Sequence, residues 1–255
     1  MVLDKLQLKV ADYMTPNPIS VKPSRSLKGA ISIMAKKKIG NVIVNDEKGK
    51  PSSILTEREI LTYLVKDGGI PDIKMKDAQT KPFATVSPDE LVLDAAKILI
   101  GKKKRLLVFD DEKLVGIITA SDMLKGLRTT GGNPTLEKVV STKVYSCEYF
   151  DSIFKAINLM YKKRTGSVLI IKNNLPFGIF TERDLLGVLT KNVPLQERLA
   201  NHSTFPLITA KYGIKGNDAA EIMSKNKIKR LALKKNDVVV AMVTARDVVD
   251  AYRTM

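Results

Sequence analysis

The chain has 255 residues, of which 44% are hydrophobic and 27% are charged, so its composition excludes a disordered chain and allows one large domain or two small ones. Lysine and arginine together number 43 against 27 acidic residues, which gives a formal net charge of +16. This excess favours anionic partners such as nucleotides, nucleic acid, acidic proteins or lipid head groups. A solvated lysine-rich surface is the alternative explanation, and composition does not separate the two.

Cysteine and histidine each occur once, as Cys147 and His202. A single thiol forms no internal disulfide, and these two residues do not suffice for a zinc site, so we expect no metal. No apolar run reaches the length of a membrane span. We therefore expect a cytoplasmic protein in which Cys147 is a small strand residue and His202 lies in a loop.

Four copies of one pattern follow each other along the chain, and each ends in a threonine three residues before an acid. The motif threonines lie 62 or 63 residues apart, a regularity that indicates internal repeats. A residue with a small side chain, such as Gly116 or Gly178, stands three positions before each threonine, where we expect it to let a ligand approach the strand. The four motifs are Thr56–Glu59, Thr119–Asp122, Thr181–Asp184 and Thr244–Asp247.

Each copy is predicted to fold as β-α-β-β-α, because short apolar runs alternate with residues at helical spacing. A unit of this size has too small a core to be stable alone, so the copies are expected to pack in pairs. In the second copy the predicted elements are a strand at 84–86, a helix starting at Ser87, strands at 106–109 and 114–118, and a helix capped by Thr119.

The polar run Thr129–Pro134 predicts the main domain boundary, because it contains adjacent glycines and a proline and has no apolar periodicity. Lesser breaks are predicted at Lys66–Pro71 and Asn192–Pro194. The predicted domains are residues 1–131, with repeats at about 8–68 and 74–129, and residues 132–255, with repeats at about 135–192 and 195–255.

The Thr-x-x-acid motif has two interpretations. It is a capping box, in which threonine and acid satisfy the first N–H groups of a helix. Alternatively, the helix N-terminus binds a phosphate and the acid accepts the hydroxyls of a ribose. Arginines favour the second interpretation, because their forked donors match phosphate. They are Arg183 and Arg246 inside the motif, and Arg105 and Arg230 just before the first long strand of their copies. The lysine runs Lys36–Lys38 and Lys162–Lys163 are equally well explained as solvated helix ends.

These repeats resemble the CBS-domain family, named after the regulatory repeat of cystathionine β-synthase. The resemblance is carried by Asp12–Pro18 with Ile19–Val21 and by the endings GIITASD, PFGIFTERD and VVVAMVTARD. It implies an α+β fold of tandem repeats that pair through their sheets into two modules with pseudo-two-fold symmetry. The modules are expected to stack as a disc within one chain, or two chains to associate as a homodimer. It also implies clefts for AMP, ADP or ATP, with S-adenosylmethionine ranked behind them.

The resemblance further implies a role for individual residues. An acid holds the ribose, a threonine lies near ribose or phosphate, an upstream hydroxyl lies near the base, and adenine meets the backbone at the start of a strand. Glu59 is one methylene longer than the usual aspartate, and Ser167 replaces the arginine of copies two and four, so copies one and three depart from the pattern. The implied nucleotide-binding residues are Ser20, Ile39, Gly40, Thr56, Thr85, Arg105, Thr119, Asp122, Ser146, Gly166, Thr181, Arg183, Asp184, Thr209, Arg230, Thr244, Arg246 and Asp247.

The sequence thus predicts a non-catalytic regulatory protein that binds adenine nucleotides and modulates an unknown partner protein. No catalytic residues, catalytic cofactor or Walker-type phosphate loop are expected. The alternatives are a basic protein that binds nucleic acid through charge alone, and an interaction scaffold that docks on an acidic protein and is modulated by nucleotide.

Overall fold

The computed structural model describes residues 7–102 and 105–255. It is an α+β structure with four small sheets. The chain begins with α1 (Val10–Tyr13) and β1 (Thr15–Pro16), and four repeats follow, each in the predicted order β-α-β-β-α. None of the helices formed by these residues is long and apolar enough to cross a membrane.

The bounds of the repeats are as follows. Repeat 1 contains β2 (Ser20–Val21), α2 (Leu27–Lys37), β3 (Asn41–Asn45), β4 (Pro51–Thr56) and α3 (Glu57–Lys66). Repeat 2 contains β5 (Phe83–Val86), α4 (Val92–Gly101), β6 (Arg105–Asp110), β7 (Lys113–Ile118) and α5 (Ala120–Leu127). Repeat 3 contains β8 (Ser146–Glu148), α6 (Ile153–Lys162), β9 (Ser167–Lys172), β10 (Leu175–Thr181) and α7 (Glu182–Thr190). Repeat 4 contains β11 (Thr209–Lys211), α8 (Gly216–Lys225), β12 (Arg230–Lys235), β13 (Val238–Thr244) and α9 (Ala245–Arg253).

All four sheets share the same arrangement of three strands, to which β1 adds a fourth in repeat 2. The short first strand runs parallel to the second, which pairs antiparallel with the third. The parallel pair requires a crossover, and the first helix of the repeat supplies it. Because the third strand runs directly into the second helix, the motif threonine stands where that strand ends and the helix begins.

The helix predicted to start at Ser87 begins at Val92 instead. Ser87 closes a turn, in which its Oγ accepts from the Asp89 N–H at 3.3 Å. Leu91 is extended because it forms an antiparallel bridge with Lys9, and the Val92 N–H donates to the Leu8 carbonyl at 2.8 Å. The local Ser-Pro-Asp-Glu signal was therefore overridden by pairing with a distant segment.

The repeats associate into two compact units. Unit 1 combines residues up to Pro18 with Pro82–Lys143 and Ile208–Met255, and therefore contains repeats 2 and 4. Unit 2 combines Ile19–Lys81 with Val144–Leu207, and contains repeats 1 and 3. Helices hold each unit together: α5 packs on α9 in unit 1, and α2 packs on α7 in unit 2. The division at residue 131 does not separate these units, and the pairing of neighbouring repeats through their sheets stays a prediction.

The core of each unit is largely aliphatic, in keeping with an aromatic content of 5%. In unit 1 one continuous cluster joins α4 and α5 to α8 and α9, with Met123 and Val248 fully buried. In unit 2 one cluster surrounds Phe180 and another surrounds Met34. Leu61 of repeat 1 belongs to the cluster of repeat 3, and Leu186 of repeat 3 belongs to that of repeat 1. The second helices therefore exchange apolar side chains between the paired repeats.

Candidate functional site

Every Thr-x-x-acid motif forms a capping box at the start of a second helix. In each, the threonine N–H and hydroxyl both donate to one oxygen of the acid. The hydroxyl contacts measure 2.5 Å at Glu59, 2.6 Å at Asp122, and 2.7 Å at both Asp184 and Asp247. The capping interpretation is thus correct, and it leaves one carboxylate oxygen per motif for other partners.

The motifs differ in the contacts of the carboxylate oxygen that does not bond to the threonine. Asp122 Oδ1 accepts from Lys125 Nζ at 2.9 Å, and Glu59 Oε1 lies 3.8 Å from Lys81 Nζ. Asp184 Oδ1 has a weaker partner, the neutral hydroxyl of Thr204 at 3.3 Å. A charge-assisted contact is stronger than a long neutral one, so of these three acids Asp184 is the most open to a new donor.

Burial also sets the electrostatics of two motif acids. It raises the pKa of Asp184 above its usual 3.8, against the opposing effect of the Thr181 hydrogen bonds. The pKa of Asp247 is raised for the same reason. A carboxylate held in poor solvation gains more than an exposed one from donors brought by a ligand.

The start of the second strand meets the motif in every repeat where both are described. The Gly40 carbonyl accepts from the Glu57 N–H at 3.2 Å, and the Gly166 carbonyl accepts from the Glu182 N–H at 3.1 Å. Arg230 lies opposite Thr244 in the sheet of repeat 4, and Arg105 opens β6. Ile39 precedes Gly40 and is half-buried. These predicted residues therefore gather at one edge of each sheet.

The upstream hydroxyl residues lie slightly deeper along the first strand. Each pairs with a residue two positions inside the second strand: Ser20 with Ile43, Thr85 with Leu107, Ser146 with Leu169 and Thr209 with Ala232. They share a sheet with the motif threonine of the same repeat.

One further residue, not predicted from the sequence, lies close to each motif. It belongs to the short segment that precedes a first strand, which we call the linker. This linker residue pairs with a third strand, opposite the residue two positions before the motif threonine. Thr204 lies opposite Ile179 and Lys81 opposite Ile54, so these two reach Asp184 and Glu59. The counterparts are Thr15 opposite Ile117 and Ser141 opposite Met242. No local motif in the sequence marks these four positions, since they hold two threonines, a lysine and a serine at varying distances from the motif that they reach.

The linker also explains the small residues three positions before the motif threonine. A Cβ at Gly178 would lie 2.7 Å from the Thr204 carbonyl, and one at Gly116 would lie 3.3 Å from the Thr15 carbonyl. These glycines accommodate the linker backbone. The expectation that they admit a ligand is therefore wrong for Gly116 and Gly178.

Two cavities in unit 2 contain a motif acid. The Asp184 cavity has a volume of about 590 Å³ and is lined by the end of α2, by α7 and by the turn at Asn201–His202. The Glu59 cavity has a volume of about 660 Å³ and is lined by α3 and the end of α6. Both volumes fall within the range of about 300–1,000 Å³ that small-molecule sites occupy. The cations that line them are Lys36, Lys38, Arg183 and Lys191 in the first, and Arg58, Lys66, Lys81, Lys162 and Arg164 in the second.

The basic residue that follows the first helix of a repeat has a left-handed backbone conformation wherever the structure describes it. Lys38, Arg164 and Lys227 have φ values of 54°, 51° and 54°, the left-handed region that ends a helix. Lys38 and Arg164 then line the Asp184 and Glu59 cavities. The lysine runs therefore end helices and also supply cavity walls. The counterpart in repeat 2, Lys103, lies outside the described residues.

The motif arginines are engaged to different degrees. Arg58 Nε lies 3.0 Å from Glu182 Oε1, and the Arg58 guanidinium also reaches the Met160 carbonyl at 3.5 Å. Arg183 Nε lies 3.9 Å from Glu57 Oε1. These two contacts link repeats 1 and 3 reciprocally. Because its contact is longer and its side chain is 42% exposed, Arg183 is the freer of the two.

In unit 1 the guanidinium of Arg246, a predicted phosphate ligand, forms hydrogen bonds within the protein. Its guanidinium donates to the Leu99 carbonyl and, at 3.2 Å, to the Ile100 carbonyl, at the C-terminus of α4. At the corresponding position repeat 2 has Ser121, which lines a smaller cavity of about 190 Å³. Asp122 is absent from the residues that line this cavity and is held by Lys125.

Cys147 and His202, the two residues considered for a metal site, lie in different elements of unit 2. Cys147 is buried in β8, and burial raises the pKa of its thiol to about 11, so it stays protonated. His202 ends a short 3₁₀ helix rather than lying in a loop, and its Nε2 is 2.9 Å from Glu197. Within residues 7–102 and 105–255, no group of His, Cys, Asp and Glu side chains could hold a metal ion.

Comparison with known proteins places this geometry in a family. The sequence matches the CBS domain over residues 10–66, 75–129, 136–191 and 201–254. The intervals between these matches overlap the predicted breaks at Lys66–Pro71, Thr129–Pro134 and Asn192–Pro194.

Relatives that span most of the chain support the same assignment. The chain is 28% identical over 193 residues to the uncharacterized protein MJ1225 of Methanocaldococcus jannaschii, which covers 69% of this chain and 68% of that protein. The crystal structure of MJ1225, described as a candidate archaeal homolog of g-AMPK, superposes with a TM-score of 0.79 and 17% identity over 95% of this chain and 99% of that one. An uncharacterized conserved protein from Pyrococcus horikoshii superposes with a TM-score of 0.66 and 17% identity over 96% of this chain and 100% of that one. The chain therefore belongs to the CBS domain family, whose repeat it contains four times.

Proposed function

We propose that the chain is a non-catalytic regulatory protein that binds an adenine nucleotide in the Asp184 cavity and thereby modulates a partner protein. The observation that carries this proposal is the second oxygen of Asp184. It is poorly solvated, its hydrogen-bond partner among the described residues is the Thr204 hydroxyl at 3.3 Å, and it lies in a cavity lined by cations.

The side chains of the Asp184 cavity suit both the ribose and the phosphate of a nucleotide. The two vicinal hydroxyls of a ribose are donors for the free side of Asp184, as in other nucleotide sites. Lys36, Lys38 and Arg183 line the same cavity and offer donors and positive charge to a phosphate. The N-terminus of α7 adds its dipole at the same place. The description of MJ1225 as a candidate homolog of g-AMPK supports an adenine nucleotide over other nucleotides.

The Glu59 cavity is a weaker candidate for the same ligand. Lys81 approaches its carboxylate, and only 5% of the Glu59 side chain is exposed. A ribose would have to displace the contact between Lys81 and Glu59, and the loss of that contact would offset part of the binding free energy. Five cations line the cavity, so we expect it to favour the phosphate end of a ligand over the ribose.

A calorimetric titration tests the proposal. AMP, ADP, ATP, S-adenosylmethionine, adenosine and inorganic phosphate are titrated separately into the full chain. We expect one site that binds a nucleotide more tightly than it binds adenosine or phosphate alone, since both halves of the cavity contribute. Equal affinity for phosphate and AMP would show that charge alone drives binding, as in the nucleic-acid alternative.

Two neighbouring lysines provide a matched control for the phosphate contact. Lys36 lines the Asp184 cavity, whereas Lys37 does not appear in its lining. Lys36→Gln should weaken AMP binding by about threefold, the effect of one partly screened charge, with a smaller loss at high salt. Lys37→Gln removes the same charge from the chain and should leave the affinity unchanged. Equal losses in the two variants would contradict a specific phosphate site.

A further inference from the structure

Repeat 3 exposes an unusual set of large apolar side chains. Phe150 is 71% exposed, Phe154 48%, Leu175 63% and Phe177 41%. Ring contacts join part of the set. Tyr149 packs edge-on against Phe150 at 5.1 Å and against Phe177 at 5.8 Å, and Phe177 lies 4.8 Å from Phe205. We call Tyr149, Phe150, Phe154, Leu175, Phe177 and Phe205 the aromatic face.

The fold of a repeat does not require this face. Counted from the first-strand hydroxyl and the motif threonine, repeat 1 carries Ser24, Lys28, Lys50 and Ser52 where repeat 3 carries Phe150, Phe154, Leu175 and Phe177. All four residues of repeat 1 are exposed and polar. Since both repeats belong to one unit and have the same topology, packing within the repeat does not explain the phenylalanines. Exposed apolar patches of this kind mark interaction surfaces.

Cations already occupy faces of these rings. Lys172 Nζ lies 4.7 Å from the ring centre of Tyr149 and 5.0 Å from that of Phe177. The Arg198 guanidinium carbon lies 4.8 Å from the ring centre of Phe150. Nucleic-acid bases stack on open ring faces, and here a cation competes for them. A partner that brings carboxylates to Lys172 and Arg198, and small apolar side chains to the ring edges, gains from both parts of the surface.

Net charge also bears on which partner the aromatic face binds. Two copies of a chain with a net charge of +16 repel each other, which disfavours self-association through a face that carries cations. An acidic partner is attracted over the whole surface and meets its specific contacts at the face.

We propose that the aromatic face is the docking surface for an acidic protein segment that carries apolar side chains. Leucine or phenylalanine side chains of the segment contact Phe150 and Phe177, and its carboxylates contact Lys172 and Arg198. This surface would serve the partner protein of the proposed function, yet it does not depend on the Asp184 cavity binding a nucleotide.

A synthetic peptide tests the proposal directly. A fluorescein-labelled peptide in which glutamate alternates with leucine and phenylalanine is titrated into the full chain and followed by anisotropy. A peptide with lysine in place of glutamate, and a fluorescein-labelled oligothymidylate, are measured alongside. We expect the acidic peptide alone to bind saturably at moderate salt. No preference for it over the lysine peptide would overturn the proposal.

Variants locate the binding surface. Phe150→Ser with Phe177→Ser installs the residues of repeat 1 and should weaken peptide binding by about tenfold or more, as for central contact residues. Lys172→Glu should weaken it as well. Val238→Lys is the control, because Val238 is 61% exposed and holds the position of Leu175 in repeat 4. It should leave binding unchanged. The thermal midpoint and AMP affinity of each variant establish that the fold and the Asp184 cavity are intact.

Three further outcomes would overturn the proposal. Peptide binding that is equal in the wild type and the double variant would place the partner elsewhere. Oligothymidylate binding that is lost with the two phenylalanines would identify a nucleic-acid platform. A dimer in sedimentation that dissociates in the double variant would identify a second copy as the occupant.

Discussion

The Asp184 and Glu59 cavities of unit 2 are built from equivalent parts, yet they offer a ligand different chemistry. Each contains a capped motif acid, a motif arginine and a basic residue in left-handed conformation after the first helix of the paired repeat. At Asp184 the linker contributes a threonine hydroxyl, whereas at Glu59 it contributes a lysine. We therefore expect the linker residue, and not the motif alone, to decide whether the acid is available to a new donor.

Removing each motif acid should reveal the largest difference in AMP affinity between the two cavities. Asp184→Ala should weaken AMP binding by roughly 10- to 100-fold, the value of hydrogen bonds to a charged group. Glu59→Ala should change it by less than about threefold, because that acid is already committed to Thr56 and Lys81. Calorimetric titration measures both. Both variants lose a helix cap, so similar losses of stability serve as the control. A larger loss of affinity at Glu59 would reverse our ranking of the cavities.

Exchanging the linker residue should convert one cavity into the other. In Glu59→Asp with Lys81→Thr, the Glu59 cavity acquires the type of acid and the hydroxyl that the Asp184 motif has. We expect nucleotide stoichiometry to rise from one to two, with a gain of about tenfold in affinity at the converted cavity as its carboxylate loses the cation. Lys81→Thr alone should give a smaller gain. Unchanged stoichiometry in the double variant would show that the linker does not control the site.

The reciprocal ion pairs should differ in their contribution to stability. Arg58→Gln removes the contact of 3.0 Å to Glu182 and the contact to the Met160 carbonyl. It should lower the free energy of unfolding by about 1–2 kcal/mol, a partly buried value discounted for exposure. Arg183→Gln should cost less than about 0.5 kcal/mol, because its contact is longer and more exposed. Urea unfolding measures both, and equal costs would contradict the asymmetry between the pairs.

The smallest effect concerns the pH dependence of stability. Because the folded pKa of Asp184 is raised above its usual 3.8, its ionisation opposes folding. The contribution of the protonated group is therefore present below the unfolded pKa and is lost as the pH rises through the folded value. Asp184→Asn lacks this titration, so its stability relative to the wild type should increase as the pH rises from about 3.8. A difference that does not vary with pH would contradict a raised pKa.

The fold was largely predictable because the sequence repeats itself. Thr119 and Thr181 begin helices as their spacing and capping chemistry indicate. The start of α4 was not predictable from Ser87, since Leu91 pairs with Lys9, some 80 residues away. The compact units were not predictable either, because loop composition marks where repeats end but does not encode which helices pack together.

The candidate site was predictable in its acids and only partly in its cations. Asp184 and Arg183 do line one cavity, whereas Arg246 caps a distant helix end instead. Lys81 and Thr204 escaped notice because they act through strand pairing across the linker, which no local motif encodes.

The central claim is that Asp184 holds a ribose, and a crystal structure of the full chain with AMP tests it most directly. Our account predicts nucleotide density in the Asp184 cavity, with ribose hydroxyls within hydrogen-bonding distance of Asp184 Oδ1 and the phosphate facing Lys36, Lys38 and Arg183. Density for AMP that leaves Asp184 without a ribose contact, or that lies outside this cavity, would contradict it.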